Sequence, residues 1–304
     1  MISEKAWKMQ GSKTFIEAGK RVKVSDLLKG IMIQSGNDAS VAIAEYAGGT
    51  EEGFVDLMNA YAASLGMNNT LFQNATGLPS ENHFSSAKDL ANLTSNYINK
   101  FPEEYALYKQ KQFTFNNIKQ LNRNKLLWRD ESADGVKTGH TDAAGYCLVG
   151  SAKRGGMRLI TVVAGSSSDK DRFSDTQRLL EYGFRFFATQ KVISADQQLK
   201  EIAVWGGLAD SLKIGVIEDI SLTLPRTSFK DLQINYKHKN NVQAPIKKGK
   251  LIGSLEIVSG DKVVYAEDLV ALESIDSKGF FGRVWSKFVL WVMGLFGLND
   301  NGSN

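Results

Sequence analysis

Cysteine, histidine and net charge are all scarce in this chain, and each shortage argues against a class of function. The lone cysteine, Cys147, cannot close an internal disulfide and argues against a cysteine-based metal site. It sits in an apolar strand pattern, which predicts a buried structural thiol. His83, His140 and His238 are scattered and form no ligand spacing. No metal and no cofactor are therefore expected. A net charge of +4 is too mild for a nucleic-acid partner, and no basic stretch is interleaved with aromatics. A hydrophobic run of membrane-spanning length is missing too. The longest apolar stretch, Phe288 to Leu298, falls well short of the roughly 20 residues a spanning helix needs. The segment Met1-Ile2-Ser3-Glu4-Lys5-Ala6-Trp7 has neither an apolar run nor a cleavage-site pattern, so no secretory signal is read there.

What is present is the composition of a folded protein. The 304 residues are 42% hydrophobic and 23% charged, enough for a sizeable core and two domains. Residues 1–24 are polar and read as loops or extended chain. Val24 to Ile33 has helical apolar spacing with Ser25 as its N-cap. The turn cluster Gln34-Ser35-Gly36-Asn37-Asp38 then leads into a helix over Ala39 to Ala47. Ser35 and Asn37 thus lie on a tight connection between two apolar helices, a common way to hold functional groups; alternatively one of them caps the second helix. Glu51 to Leu65 is an amphipathic helix whose Phe54, Leu57, Met58, Tyr61 and Leu65 share a face, closed by Gly66. A long loop follows over 66–84, and Ser86 opens the next helix.

Downstream, Asp134-Gly135-Val136-Lys137-Thr138-Gly139-His140-Thr141 precedes an apolar hairpin that turns at Arg154-Gly155-Gly156. A strand bearing Lys-Thr-Gly lets a substrate backbone approach at Gly139, where no side chain intervenes. Lys137 supplies a fixed positive charge, and Thr138 a hydroxyl. An extended peptide ending in a carboxylate fits such a strand by edge addition. A helix is expected over Asp169 to Phe187. From Ala195 to Ile275 the pattern changes to short alternating strands, which predicts a small all-β domain with the character of a sandwich. The last element, residues 280–298, combines Arg283, Lys287, Trp285 and Trp291 with apolar residues. It reads as a helix lying in a membrane surface, or else as a terminal helix packed on its domain.

Ser35-Gly36-Asn37 followed by Lys137-Thr138-Gly139 supplies two of the three motifs of serine penicillin-recognising enzymes. The chain resembles the D-alanyl-D-alanine carboxypeptidases of the penicillin-binding protein 5/6 type (peptidase family S11). The likeness runs through Leu28 to Ala39, Gln120 to Asn124, Gly135 to Asp142 and Tyr182 to Phe187, and on into the β domain and terminal segment.

The resemblance implies a serine that attacks the bond between the last two D-alanines of a peptidoglycan stem peptide, giving an acyl-enzyme that water hydrolyses. β-Lactams are implied as inhibitors trapped at that serine. Ser35 and Asn37 belong, by resemblance, to the catalytic proton-relay and substrate-orienting wall. Lys137, Thr138 and Gly139 form the substrate-binding strand, with His140 bordering it either as a direct contributor or as a surface residue after a turn. Arg123 and Arg172 are further candidates for attracting the carboxylate.

One departure stands out. The family's nucleophile lies in a Ser-x-x-Lys motif before Ser-Gly-Asn, and none precedes Ser35 here. The strings Ser85 to Lys88, Ser167 to Lys170 and Ser259 to Lys262 all come later. The chain thus reads as beginning partway through its catalytic domain.

The expected fold is an α/β penicillin-recognising, serine transpeptidase/β-lactamase-like domain over 1–188, incomplete at its N-terminus. A β-rich domain over 189–277 and an amphipathic anchor over 278–304 complete it. Two functions follow: a serine-type carboxypeptidase on the periplasmic face of the inner membrane, or a catalytically inactive, membrane-tethered peptidoglycan-binding module. Removal of the residues after Lys278 is expected to shift the protein from the membrane to the soluble fraction on centrifugation. Persistent membrane attachment would sink the anchor.

Overall fold

The computed structural model describes residues 1–239 and 241–279, in two compact units that divide between Arg185 and Phe186. The expected helix over 280–298 lies outside the described residues.

The first unit opens with helices α1 (Glu4–Lys8), α2 (Val24–Lys29), α3 (Asn37–Gly48), α4 (Glu51–Ser64), α5 (Ala87–Lys100) and α6 (Pro102–Tyr105). A short hairpin, β1 (Gln112–Phe115) with β2 (Ile118–Leu121), leads to α7 (Leu126–Arg129). Then come the strands β3 (Ala133–Thr141), β4 (Gly145–Arg154) and β5 (Met157–Ser166), and the long helix α8 (Asp169–Phe186). The three strands form an antiparallel sheet in the order β3-β4-β5, so β3 is an edge strand among the described residues. Helix α8 packs on this sheet through small residues: a Cβ on Gly183 would meet Leu159 Cδ1 at 2.4 Å, and one on Gly150 would meet Thr176 Cγ2 at 2.8 Å.

Residues 1–24 depart from the loop expectation, because Ser3 caps α1 by accepting from the Ala6 amide and Ala6 is fully buried. Ile2, Ala6 and Ile16 join Leu27, Ala39, Val41 and Ala42 in one core cluster. The expected cap at Ser25 is also displaced. Helix α2 begins at Val24 after Lys23, with no side-chain cap. It does not run straight to Ile33 but widens into a π turn over Gly30–Gln34, a distortion that clusters at functional positions.

That turn ends at Ser35, whose φ of 62° and ψ of 39° are left-handed. Its cause is legible in the packing. A Cβ on Gly30 or on Gly36 would lie 2.2 or 2.1 Å from Thr14 Oγ1, so only glycines let the turn close on the buried Thr14. Asp38, 1% exposed, then locks the segment beneath. Its carboxylate accepts from the amides of Thr14 (2.8 Å), Phe15 (2.9 Å), Ile16 (3.2 Å) and Ala39 (2.8 Å). Neither Ser35 nor Asn37 caps α3 through its side chain; Gly36 occupies that position.

The apolar face expected on α4 is only partly covered. Leu57 and Tyr61 remain exposed, and Ala62 is the buried residue. The α3–α4 corner is tight, since a Cβ on Gly48 would meet the Phe54 amide at 2.4 Å.

The second unit comprises β6 (Phe187–Ile193), β7 (Lys200–Trp205), β8 (Ser211–Gly215), β9 (Ile220–Pro225), β10 (Leu232–His238), β11 (Val242–Gln243), β12 (Leu251–Ser259) and β13 (Lys262–Ala271). Six strands form one sheet in the order β10-β12-β13-β8-β7-β11, and β6 pairs with β9 in a second. Ile193, Ile220 and Leu222 from the small sheet share a core with Leu212, Ile214, Leu255 and Ile257 from the large one. This is the two-layer packing that alternating strands produce. Val263 is exposed beside the β12–β13 turn at Gly260. A register shift between Ile257 and Val258 changes the alternation there.

Among the described residues no helix is long and apolar enough to cross a membrane. Asp38→Ala leaves four backbone donors without their charged acceptor, and is expected to lower unfolding free energy by roughly 2–4 kcal/mol. Urea denaturation followed by circular dichroism measures this, and an unchanged midpoint would refute the locking role.

Candidate functional site

Sequence brings Ser35 and Lys137 no closer than 102 positions, yet the fold joins them. Lys137 Nζ donates to the Ser35 hydroxyl and, at 2.8 Å, to the carbonyl of Thr138. The left-handed Ser35 projects from the end of the π turn, and Lys137 projects from edge strand β3. Among the described residues Lys137 has no carboxylate partner. A cation in that position is chemically able to pair with an incoming anion.

Its electrostatics follow from its surroundings. Burial, then the Arg123 guanidinium, then the Arg172 guanidinium, hold the Lys137 ammonium down to a pKa of about 8. Near neutrality the amine therefore exchanges protons far more readily than an exposed lysine, while still carrying charge over much of the population.

The two arginines are held differently. Arg123 sits in the loop between β2 and α7, its backbone amide donating to the Ile33 carbonyl at 3.1 Å and its Nε to the Gln34 carbonyl at 2.8 Å. The flanking asparagines make this loop rigid. Buried Asn122 donates to the carbonyls of Tyr108 (3.1 Å) and Gln110 (2.9 Å) and accepts from the Asn124 amide, while Asn124 accepts from the Leu126 amide. Arg123 is thus tethered to the π turn that carries Ser35, with guanidinium nitrogens left exposed. Arg172 is buried and committed. It donates to the Gly139 carbonyl at 3.0 Å and pairs with Asp169, so its influence on Lys137 is through space.

The remaining expected residues fall as follows. Asn37 is buried beside Ser35, but its amide donates to the Gln10 carbonyl at 2.7 Å and forms no hydrogen bond with Ser35 or Lys137. Thr138 is buried on β3. Gly139 is exposed, and a Cβ there would meet nothing closer than Cys147 Cβ at 4.0 Å. The protein's own packing therefore does not require glycine at 139, which leaves approach by something external as the physical use for it. His140 is exposed, its ring tilted 34° against that of Tyr146 with centroids 4.0 Å apart. Strand alternation puts it on the sheet face opposite Lys137. Cys147, expected to be buried, is only half-buried because it stands across from the exposed Gly139.

Reading along the sequence misses two things: the bracing asparagines at 122 and 124, and the Asp38 lock beneath Ser35. The Asn-Arg-Asn string was a visible signal for the first. Nothing local marked the second, since three of its four partners, Thr14, Phe15 and Ile16, lie more than 20 residues upstream.

None of the later Ser-x-x-Lys serines is brought to Ser35 by a hydrogen bond. The Ser85 hydroxyl bonds Thr70, the Ser167 hydroxyl bonds Asp171, and Ser259 ends β12 in the second unit.

Comparison with known proteins gives a consistent result. Residues 1–168 match the family model of D-alanyl-D-alanine carboxypeptidase, and residues 187–277 that of the penicillin-binding protein 5 C-terminal domain. The D-alanyl-D-alanine carboxypeptidase DacC of Escherichia coli (strain K12) is 44% identical over 283 residues, which cover 91% of this chain and 71% of that protein. DacA of Haemophilus influenzae is 40% identical over 301 residues, covering 97% and 77%. Among solved structures, penicillin binding protein 5 from Haemophilus influenzae superposes with a TM-score of 0.81 at 39% identity, covering 91% of this chain and 82% of that one. Penicillin binding protein 6B from Escherichia coli gives 0.70 at 33% identity, covering 88% and 77%.

Removing a neighbouring positive charge favours the protonated amine. Arg123→Gln is therefore expected to raise the Lys137 midpoint from about 8. NMR titration of the Lys137 side chain reads this, and a midpoint that stays or falls would remove Arg123 from the electrostatic account.

Proposed function

This chain belongs to the D-alanyl-D-alanine carboxypeptidase family, and on that premise we propose that its site receives peptidoglycan stem peptides ending in D-Ala-D-Ala for carboxypeptidase chemistry. The observation that carries the reading is Lys137: a cation without a carboxylate partner, on an edge strand, touching the hydroxyl of Ser35. A peptide carboxylate supplies the missing anion, and the edge of β3 supplies backbone hydrogen bonds by strand addition.

In this proposal Lys137 attracts the terminal carboxylate on the strand it shares with Thr138, with the exposed side chain of Arg123 drawing it in. Gly139 lets the peptide backbone approach. Ser35 passes a proton between Lys137 and the leaving amine, a role suited to a lysine whose pKa is about 8. Asn37 supports the Ser35 turn from beneath through its bond to Gln10. The family reaction runs through an acyl-enzyme on the serine of a Ser-x-x-Lys motif. No residue before Ser35 in this sequence forms one, and we assign the bond-making step to none of the three later serines. A β-lactam, with a carboxylate next to a reactive amide, is proposed to occupy the same strand.

The second reading is a peptidoglycan-binding module that holds stem peptides without cleaving them. It is favoured by the same set of residues, which recognise and orient but include no assigned nucleophile. Both readings share the periplasmic face of the inner membrane as the proposed location, with peripheral attachment through residues 280–298.

Fluorescent penicillin labelling of the protein from its native membranes, with intact mass measured before and after, tests the proposal. An adduct would support the carboxypeptidase reading, and in that case Lys137→Ala should reduce labelling at least tenfold. Full labelling of that variant would remove Lys137 from its role. Absence of any adduct, with stem-peptide binding retained, would replace the carboxypeptidase reading with the binding module.

A further inference from the structure

The start of strand β3 carries a second cluster of charged and hydroxyl groups, separate from the pair formed by Ser35 and Lys137. The Asp134 carboxylate accepts from the Tyr105 hydroxyl at 3.0 Å and from Arg158 Nη1 at 2.9 Å. Its other oxygen pairs with Arg158 Nη2 at 2.7 Å. Arg158 Nη1 also donates to the Ser151 hydroxyl at 2.6 Å. One guanidinium on β5 therefore reaches across β4 to the edge strand. Tyr105, at the end of α6, is buried, and its ring lies 5.4 Å from that guanidinium. Gly135 makes room for it, since a Cβ there would stand 2.5 Å from the Tyr105 hydroxyl oxygen. Among the described residues none of these side chains hydrogen-bonds to Ser35 or Lys137.

Asp134 is also where the β3–β4 ladder breaks step. Ala133 lies across from Ala152 and Gly135 across from Ser151, so β3 advances two residues while β4 advances one. Asp134 is thus the extra residue of a β-bulge. Pairing is then continuous from Gly135 and Ser151 to Thr141 and Gly145. Residues opposite each other share a face of the sheet, and neighbours along a strand alternate. The bulge therefore puts Lys137 on the face of Ser151 and Val149, and lets Ala133, Val136 and Thr138 all be buried on the other.

Without the bulge these demands conflict. Regular alternation can bury Ala133, or Val136 and Thr138, but not all three. Keeping Ala133 in place would set Lys137 across from the fully buried Leu148, because a one-residue slip exchanges the two faces. An ammonium cannot stay in an apolar layer without a partner, so the edge strand would fray and release the amine to water.

We propose that Asp134 is a positioning residue for Lys137: pinned by Arg158 and Tyr105, it holds the bulge that keeps Lys137 on the face toward Ser35. The consequence for chemistry rests on the carboxylate-attracting role given to Lys137 above; the pinning does not. An arginine suits the task because its fork bonds Asp134 and Ser151 together, fixing both strands at one place.

The test follows the Lys137 side chain by NMR in the full chain, reading its protonation midpoint and its cross-strand contact with Val149. Wild type should give a midpoint of about 8 and a clear Val149 contact. Asp134→Ala should weaken that contact and raise the midpoint by about one unit or more, toward the ~10.4 of a solvated lysine. The sign is diagnostic, because loss of a nearby negative charge by itself lowers a lysine's midpoint. Arg158→Lys conserves the charge but loses the fork, and should raise the midpoint about half as far. It decides the matter if Asp134→Ala does not fold. Asp130→Asn is the control: it breaks the neighbouring 2.9 Å pair with Arg154 outside the bulge, and should leave the midpoint at about 8. A midpoint that stays or falls in either bulge variant would overturn the proposal. An equal rise in Asp130→Asn would overturn it too, by making Asp134 one more stabilising residue. The expected shifts in a protein that binds no peptide ending in D-Ala-D-Ala would remove the stem-peptide reading and leave the pinned bulge standing.

Discussion

An ammonium held against a hydroxyl, with no carboxylate to neutralise it, is the constraint around which the first unit is organised. Most lysines in folded proteins either reach water or meet an acid. Lys137 meets Ser35 and a backbone carbonyl instead, and two guanidiniums add to the positive field. Keeping such an arrangement demands rigid supports on both sides. On the Ser35 side these are the glycine-closed π turn over Thr14 and the four amides gathered by Asp38. On the Lys137 side they are the β3–β4 ladder and the Arg172 bond to the Gly139 carbonyl.

The supports differ in kind because the two sides need different things. The serine must project from a sharp, left-handed position, which backbone strain resists; buried hydrogen bonds to a charged carboxylate hold it there. The lysine must stay on an edge, where pairing on one side only leaves polar backbone groups available to a partner chain. Arg172 braces that edge from the sheet face opposite Lys137 while Asp169 balances its charge. Its effect on Lys137 is therefore to lower the proton affinity without competing for the same ligand.

The second unit shows a different economy. Its core is dominated by Ile, Leu and Val side chains from two sheets, antiparallel apart from the short parallel pairing of β11 with β7. Among its described residues no group combines the burial, missing partner and edge position that distinguish Lys137. The matched families give the same order, a carboxypeptidase region over 1–168 followed by the C-terminal domain over 187–277.

How much of this could be read from the residue order varies with the range of the interaction. The Ser-Gly-Asn turn between two helices, the Lys-Thr-Gly strand, the capped start at Ser86 and the alternating strands after Ala195 were all legible. Each depends on neighbours within a few positions, where spacing and backbone preference act directly. The misread features were set by distant partners. The helix at Glu4–Lys8 exists because Ala6 enters a core with Leu27 and Val41. The π turn after the second helix answers to packing on Thr14. By itself, then, the sequence determined which chemical groups the site contains and which local elements carry them. Only the tertiary structure decided that Ser35 touches Lys137 and that Asn37 turns to Gln10. Those contacts join positions far apart in the chain, and the packing that selects them exists only when the whole unit is assembled.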